Sequence, residues 1–377
     1  MSTNGDMPRK VLGSTNESIS ILAFGGFHLI EALPSDAERM LGCYLDEGGN
    51  FIETAVSYGD SEKKIGRVMK ARRSECFLST KTHFRTKKEA AESIDSSLRN
   101  LQTDHVDNIF VHAVNTQAEL DAVLSTDGAM AAIEEARAKG KVRFVSVTSH
   151  NPEMLLKCLQ SYKFDAMMEW INYYDYFNFP MIYDRIIPYC REHGVGVIAM
   201  KPVADGLLWR SAEQAFRWTW SVPVDSISAG NNTIDMLKKN ISLAKSFQPM
   251  DQDEKNELYR TAPEYANYVC RQCGKCLDNT LGLDIKAVFA AEGYFDRQMH
   301  TGNVPDASEY ALRERLRFWF NNQELAREKY AGLETRVPKD FDSNAIHGKC
   351  PFGIDVPRKL RIAAWKLTGD DDYVIGD

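Results

Sequence analysis

From residue 19 to about residue 247, short apolar runs alternate with amphipathic stretches. The apolar runs are ISILAFGG, FIETA, CFLSTKT, VDNIFVH, VRFVSVTS, FDAMMEWIN, VGVIAMKP and DSISAG. Most are continuously apolar rather than alternating, the pattern of strands covered on both faces. Between them, KKEAAESIDSSLRNLQ and AELDAVLSTDGAMAAIEEARAKG repeat apolar residues every three or four positions, which is a helical period. Ser35, Ser61 and Asn151 are candidate helix caps. Eight such strand–helix units predict a parallel sheet closed by outer helices, the (β/α)8 TIM barrel of the α/β class. A doubly wound open sheet is the alternative on pattern alone, and the lack of GxGxxG after the first strand counts against it.

After Phe247 the alternation stops. Residues 250–377 hold the helical stretches YALRERLRFWFNNQELAREKYAGL and VPRKLRIAAWKL, loops rich in Asp and Gly, and a cluster of cysteines. The expected organisation is therefore a barrel over 1–249 and a smaller, mostly helical domain over 250–377. A chain of 377 residues has room for both. With 44% apolar and 26% charged residues the composition is that of an ordinary globular protein. The net charge of −7, without a Lys/Arg block, argues against nucleic acid or an anionic membrane as partner. The start, MSTNGDMPRKVLGS, has no apolar core, and no run approaches about 18 apolar residues. Neither a signal peptide nor a membrane span is expected, and the location expected is cytoplasmic. Cys43, Cys76, Cys158 and Cys190 are scattered and read as small buried apolar residues.

Active sites of such barrels gather where strands end and βα loops begin. Glu53 and Tyr58 lie in NFIETAVSYGDSEKKIG, Lys81 in CFLSTKT, and His112 closes VDNIFVH. Each alone has a bland reading: helix cap, loop packing, solvated lysine, core histidine. All four at the mouths of three successive strands point to a catalytic set.

These motifs resemble the aldo/keto reductase family. NFIETAVSYGDSEKKIG is similar to its carboxylate followed by a YGxSE loop, STKT to its lysine strand and IFVH to its histidine strand. KVRFVSVTSH, GVGVIAMKPVADGLL and SAGNNTIDMLKKNISLA match its fifth strand, seventh strand and last cofactor loop, so the resemblance covers residues 9–247. It implies an NAD(P)H-dependent oxidoreductase that interconverts a carbonyl and an alcohol on a small molecule. Tyr58 is then the general acid/base. A phenol with a pKa near 10 is a sluggish donor, so Lys81 is expected to lower it, with Glu53 keeping Lys81 charged and aimed. His112 would orient the substrate carbonyl. The family usually has Asp where this chain has Glu53.

For the cofactor, the resemblance puts Thr148 and Ser149 at the carboxamide and adds Lys201 from the seventh strand and Gly230, Asn231, Asn232 and Asn240 from the last loop. Met168 or Glu169 stands where the family has a glutamine. The loop lacks the usual 2′-phosphate contacts, having Gly230, Asn231 and Met236 there, although Lys238 and Lys239 are close in sequence. Losing a bidentate Arg weakens a phosphate site and draws the family's NADPH preference toward NADH. Trp170, Tyr173, Tyr174, Tyr176 and Phe177, with Phe27 and His28, either line a pocket for a ring-bearing substrate or pack against the added domain.

In the second domain, YVCRQCGKCLDN spaces Cys270, Cys273 and Cys276 as CxxCxxC, and HGKCPFGIDVP supplies Cys350 followed by proline. CxxCxxC completed by CP is the ligand set of a ferredoxin-type [4Fe–4S] cluster, although 73 residues separate Cys276 from Cys350 here. A four-cysteine zinc site is the rival reading and free thiols a third. A subgroup of aldo/keto reductases with a ferredoxin-like tail is similar to this one. Three functions follow: a carbonyl reductase with an auxiliary cluster, a redox enzyme relaying single electrons to a ferredoxin-like partner protein, or a non-catalytic redox-sensing barrel. Cysteines for only one cubane weigh against the second, and the intact Tyr58–Lys81–His112 set weighs against the third.

Overall fold

The computed structural model describes residues 6–297 and 323–373. Eight parallel strands close into a barrel: β3 Leu22–Gly25, β4 Phe51–Glu53, β5 Phe77–Thr82, β6 Val106–Val111, β7 Val142–Thr148, β8 Ala166–Trp170, β9 Gly196–Met200 and β10 Ser226–Gly230. They pair in sequence order, and β10 closes on β3 with Gly230 opposite Gly25. Every apolar run read from the sequence supplies one barrel strand. ISILAFGG does more: β3 takes its second half, while Ser18–Ser20 forms β2, antiparallel to β1 Arg9–Val11.

That short hairpin brings Leu12 and Ile19 into one buried cluster with Phe51, Phe77, Phe110 and Ala166, at or near the strand starts. Gly13 sits so close to the start of β9 that an added Cβ would lie 2.3 Å from Gly196 N, and its φ of +50° also favours glycine. Apolar side chains thus fill the N-terminal end of the barrel and leave polar groups for the C-terminal end. Between the two, Asn108 accepts from Ser146 Oγ at 2.7 Å and donates to Ser79 Oγ at 3.3 Å. Alternation along each strand sends every second residue inward, so Phe51 and Glu53, or Phe77, Ser79 and Lys81, descend one interior wall.

The helices differ from expectation in detail. AELDAVLSTDGAMAAIEEARAKG is two helices, Gln117–Leu124 and Ala129–Ala138, parted at Gly128, where a Cβ would meet Ala122 O at 2.3 Å. Ser35 is not a cap, because the helix Pro34–Asp46 begins one residue earlier on Pro34. Ser61 is the first residue of Ser61–Arg72, and its hydroxyl donates to Gly26 O at 2.7 Å instead. Asn151 holds the cap position of Pro152–Ser161, but its side chain donates to Asn115 O. Threonines do the capping: Thr86, Thr116 and Thr233 each accept from a backbone N–H three residues on.

The described residues form two compact units. One holds residues 6–172 and Met181–Pro249, and the other holds Tyr173–Pro180 with residues 250–297 and 323–373. The second unit carries the helices Gln252–Thr261, Ile285–Arg297, Glu324–Ala331 and Val356–Thr368. Of the stretch YALRERLRFWFNNQELAREKYAGL, only Glu324–Ala331 is a described helix, and its first part lies outside the described residues. VPRKLRIAAWKL is helical throughout, opened by an Asp355 cap and closed by Gly369 at φ +68°. Within this unit Asp175 and Arg297 form a buried bidentate ion pair at 2.5 and 3.1 Å. Among the described residues, no helix is long and apolar enough to cross a membrane.

Candidate active site

Three successive strands place the expected quartet. Glu53 is the last residue of β4, Lys81 the fifth of β5, and His112 follows β6 directly. Lys81 and Glu53 are only 1% and 4% exposed. The Lys81 ammonium donates to Glu53 Oε2 and, at 2.9 Å, to Thr54 O. The other Glu53 oxygen accepts from Ser228 Oγ at 2.7 Å. Ser228 was missed by sequence reasoning, since one serine in DSISAG carries no signal, yet it fixes the carboxylate from across the barrel seam.

Tyr58 stands over this pair. Lys81 Nζ lies 4.8 Å from the centroid of its ring, the His112 ring 5.9 Å away and Phe27 4.9 Å away, both edge-on. Tyr58 and His112 are buried. Burial, and next the Glu53 carboxylate, push the Tyr58 phenol well above its usual pKa. The expected depression by Lys81 is therefore corrected. The lysine charge faces the ring and is neutralised by Glu53, and the low dielectric around Tyr58 disfavours the phenolate. Burial also holds Lys81 below the usual lysine range, with Glu53 opposing. His112 is held well below the usual histidine pKa by burial and then by Lys81, so it is a neutral imidazole at pH 7.

The YGDSEKKIG loop is built into the scaffold. Glu62 accepts from Thr80 Oγ1 at 2.7 Å and from Asn100 at 3.0 Å, and Lys64 donates to Leu29 O at 2.7 Å. Arg85, also missed, donates to the carbonyls of His112 and Ala113 at 2.9 Å each and thereby steadies the loop after β6.

The residues expected at the cofactor lie at the ends of β7, β9 and β10. Thr148 Oγ1 accepts from Ala113 N at 2.8 Å, and Ser149 Oγ lies 2.7 Å from Val114 O, so both tie β7 to the loop after β6. Met168 joins the interior apolar cluster, and Glu169 is fully buried. Lys201, at φ +56°, has its ammonium 3.6 Å from Asp205 and 5.4 Å from the centroid of the Trp170 ring. Asn240 donates to Asn231 at 2.9 Å, and Asn231 to Ala229 O at 3.0 Å. His28 Nδ1 donates to Asn232 Oδ1 at 2.5 Å, and a Cβ on Gly230 would lie 2.3 Å from the His28 ring. Gly230 is thus small because His28 rests on it. The helix Ile234–Lys245 starts four residues after β10 ends, with Thr233 as cap, and its N–H groups suit a cofactor phosphate. Asp235 lies in its first turn, and Lys238 and Lys239 are exposed.

Of the aromatic run after β8, Trp170 belongs to the barrel and stacks with His150 at 5.5 Å. Tyr173, Tyr174 and Phe177 contact Tyr265 within the second unit, and Tyr176 stacks on Tyr259 at 5.3 Å. Of the scattered cysteines, Cys76, Cys158 and Cys190 are buried, and burial pushes each thiol up to about 12, whereas Cys43 is only partly buried.

In the second unit, residues 345–348 return alongside 278–280. Asn279 bridges to Ile346, and His347 and Gly348 both donate to Asp278 O. Gly348 packs so tightly on Cys276 that a Cβ would lie 2.5 Å from its Cα, which carries the chain toward Cys350. The Gln272 N–H points at Cys270 Sγ at 3.4 Å, and burial pushes the Cys270 thiol up to about 11. Cys273 is exposed, and Cys276 is buried. Among the described residues, no three His, Cys, Asp or Glu side chains are gathered closely enough to hold a metal ion. Four cysteines are donors of the kind that iron–sulfur and zinc centres use.

A parallel barrel with a buried tyrosine, lysine, carboxylate and histidine at its C-terminal end is the framework of an enzyme. A model of the aldo/keto reductase family matches residues 22–269, and the chain belongs to that family and is an oxidoreductase. L-galactose dehydrogenase of Arabidopsis thaliana is 28% identical over 258 residues, covering 62% of this chain and 80% of the relative. L-glyceraldehyde 3-phosphate reductase of Escherichia coli (strain K12) is 25% identical over 228 residues, covering 54% of this chain and 64% of the relative. Among solved structures, the holo form of aldo-keto reductase AKR11C1 from Bacillus halodurans shares the fold at a TM-score of 0.59. It is 24% identical, and the alignment covers 67% of this chain and 95% of that one.

Proposed function

We propose that the protein is an NAD(P)H-dependent reductase that interconverts a small-molecule carbonyl and its alcohol at the mouth of the barrel. The reading rests on the gathering of Tyr58, Lys81–Glu53 and His112 on β4, β5 and β6. The nicotinamide, when bound, supplies the hydride to the carbonyl carbon. Tyr58, held protonated by burial, gives its proton to the oxygen that becomes the alcohol. Neutral His112 donates one N–H to the same oxygen and orients it without bringing a second positive charge. Lys81, fixed by Glu53 and Thr54, stabilises the phenolate that forms. Thr148, Ser149, Lys201, Gly230, Asn231, Asn232 and Asn240 line the cofactor's side, with weak discrimination between NADH and NADPH.

Residues 250–377 form the auxiliary domain in this reading, joined by 173–180. Cys270, Cys273, Cys276 and Cys350 hold one [4Fe–4S] cluster there, supported by the CxxCxxC…CP spacing and the return of 345–348 onto Cys276. The cluster is auxiliary to hydride transfer, which moves two electrons together and needs no one-electron relay.

Tyr58→Phe tests the chemistry. Reduction of a working carbonyl substrate should fall by at least about 10²-fold in kcat, the usual size of a general-acid contribution, with cofactor affinity kept within a few-fold. Near-native turnover would sink the assignment.

A further inference from the structure

Glu53 makes a contact that its place on β4 does not by itself explain. In the barrel, β3 lies between β4 and β10, with Gly25 paired to Glu53 on one side and Ala23 to Ser228 on the other. Yet Glu53 Oε1 accepts from Ser228 Oγ at 2.7 Å, so this bond passes across β3 from one neighbour to the other. Both residues are buried, Glu53 at 4% and Ser228 at 6% exposure.

The crossing is possible because β3 has no side chain at that level. Ala23 belongs to the interior cluster, so alternation turns Gly25 inward as well. A Cβ on Gly25 would lie 2.9 Å from Ser228 Oγ and 3.0 Å from the Ala229 carbonyl. Gly25 has φ −78° and ψ 113°, extended backbone that any residue adopts. It is glycine for space and not for conformation.

The two oxygens of Glu53 are thus divided between partners on opposite sides: Oε2 accepts from Lys81 on β5, and Oε1 from Ser228 on β10. A glutamate side chain gives up much rotamer freedom when it is fixed. Held at one oxygen only, its carboxylate is free to turn off the lysine, and the second bond removes that freedom. An aspartate is shorter by one methylene, about 1.5 Å. From the same position on β4 it cannot keep both contacts.

We propose that Ser228 is a positioning residue of the active site. Through the gap left by Gly25 it fixes Glu53 so that the carboxylate stays on Lys81, and this slot is what suits the site to a glutamate. The inference rests on the reductase reading above, in which Lys81 stabilises the phenolate of Tyr58. Ser228 makes or breaks no covalent bond and acts on the rate only through Glu53 and Lys81.

The test compares wild type with Ser228→Ala, Glu53→Asp and the double variant. It measures steady-state reduction of 4-nitrobenzaldehyde with NADH or NADPH, and nicotinamide binding by quenching of tryptophan fluorescence. Each single change should lower kcat by about tenfold, the scale of one hydrogen bond to a charged group, with KM and nicotinamide affinity kept within a few-fold. The double variant should fall no further than the slower single one, because both changes remove the same contact. Losses that multiply to about a hundredfold overturn the inference, as does a wild-type kcat in Ser228→Ala or a loss carried by KM. If Ser228→Ala does not fold, Ser228→Cys, of similar size and a weaker donor, is read in its place. A wild-type chain that reduces the aldehyde with neither nicotinamide overturns the reductase reading itself, and the inference with it.

Discussion

Glu53→Gln isolates the electrostatics of the active site. The substitution keeps size and an oxygen for Ser228 Oγ but removes the carboxylate that, among the described residues, alone bonds the buried Lys81 ammonium. Two unit charges at roughly 3 Å attract by about 332/(20 × 3) ≈ 5.5 kcal/mol at an effective dielectric of 20, a ceiling for the loss. Removing one partner of a buried pair costs about 3–5 kcal/mol in practice. Burial already lowers the Lys81 pKa and Glu53 opposes that, so the variant drives it lower still. A lysine whose folded pKa lies below its unfolded value costs nothing above the unfolded pKa of about 10.4. Stability then falls by about 1.4 kcal/mol per unit as pH drops, until the folded pKa is reached. The deficit of Glu53→Gln against wild type should therefore be small at about pH 10 and grow toward neutrality. Urea unfolding at several pH values, followed by tryptophan fluorescence, measures it. Glu53→Gln combined with Lys81→Met should recover most of the loss, because no unpaired charge remains. A deficit that is constant with pH, or that grows as pH rises, refutes the reasoning.

Arg297→Met should destabilise the second unit by about 3–5 kcal/mol, because it takes the guanidinium from the fully buried Asp175 carboxylate. Adding Asp175→Asn should restore much of this in urea unfolding, and a double variant no better than the single one counts against a charge effect. Cys350→Ala should lose most of the about four irons per chain expected in anaerobic preparations, read by iron assay and absorbance. The barrel, which has its own core, should keep its unfolding midpoint, and retention of iron would exclude Cys350 as a ligand.

The barrel strands were legible because burial on both faces leaves runs of apolar residues with little else to be. The β1–β2 hairpin was not, since RKV and SIS are three residues each and gain their meaning only from Leu12 and Ile19 packing under Phe51 and Phe77. Caps were misplaced where a serine had a better use, as Ser61 does on Gly26 O. The candidate quartet lies at strand ends, where the barrel pattern could point to it. Distant partners were not legible: Ser228 meets Glu53 across 175 residues, and Arg297 meets Asp175 across 122. Local pattern carries no record of contacts made only by closing a barrel or docking a helix.

The direction of the Tyr58 shift also bears on the pH dependence expected of the proposed reaction. A phenol pushed upward by burial and by Glu53 is fully protonated at neutral pH and ready to give a proton, but it is a poor base. Carbonyl reduction needs the acid form, and alcohol oxidation needs the phenolate. In reduction, rate should hold level through neutral pH and fall only as pH climbs past the raised pKa of Tyr58, while oxidation should gain with each added unit of pH. Glu53 is the carboxylate that raises the phenol, so removing its charge shifts that alkaline fall toward lower pH. The same residue that opposes the loss of charge on Lys81 thus also keeps Tyr58 protonated.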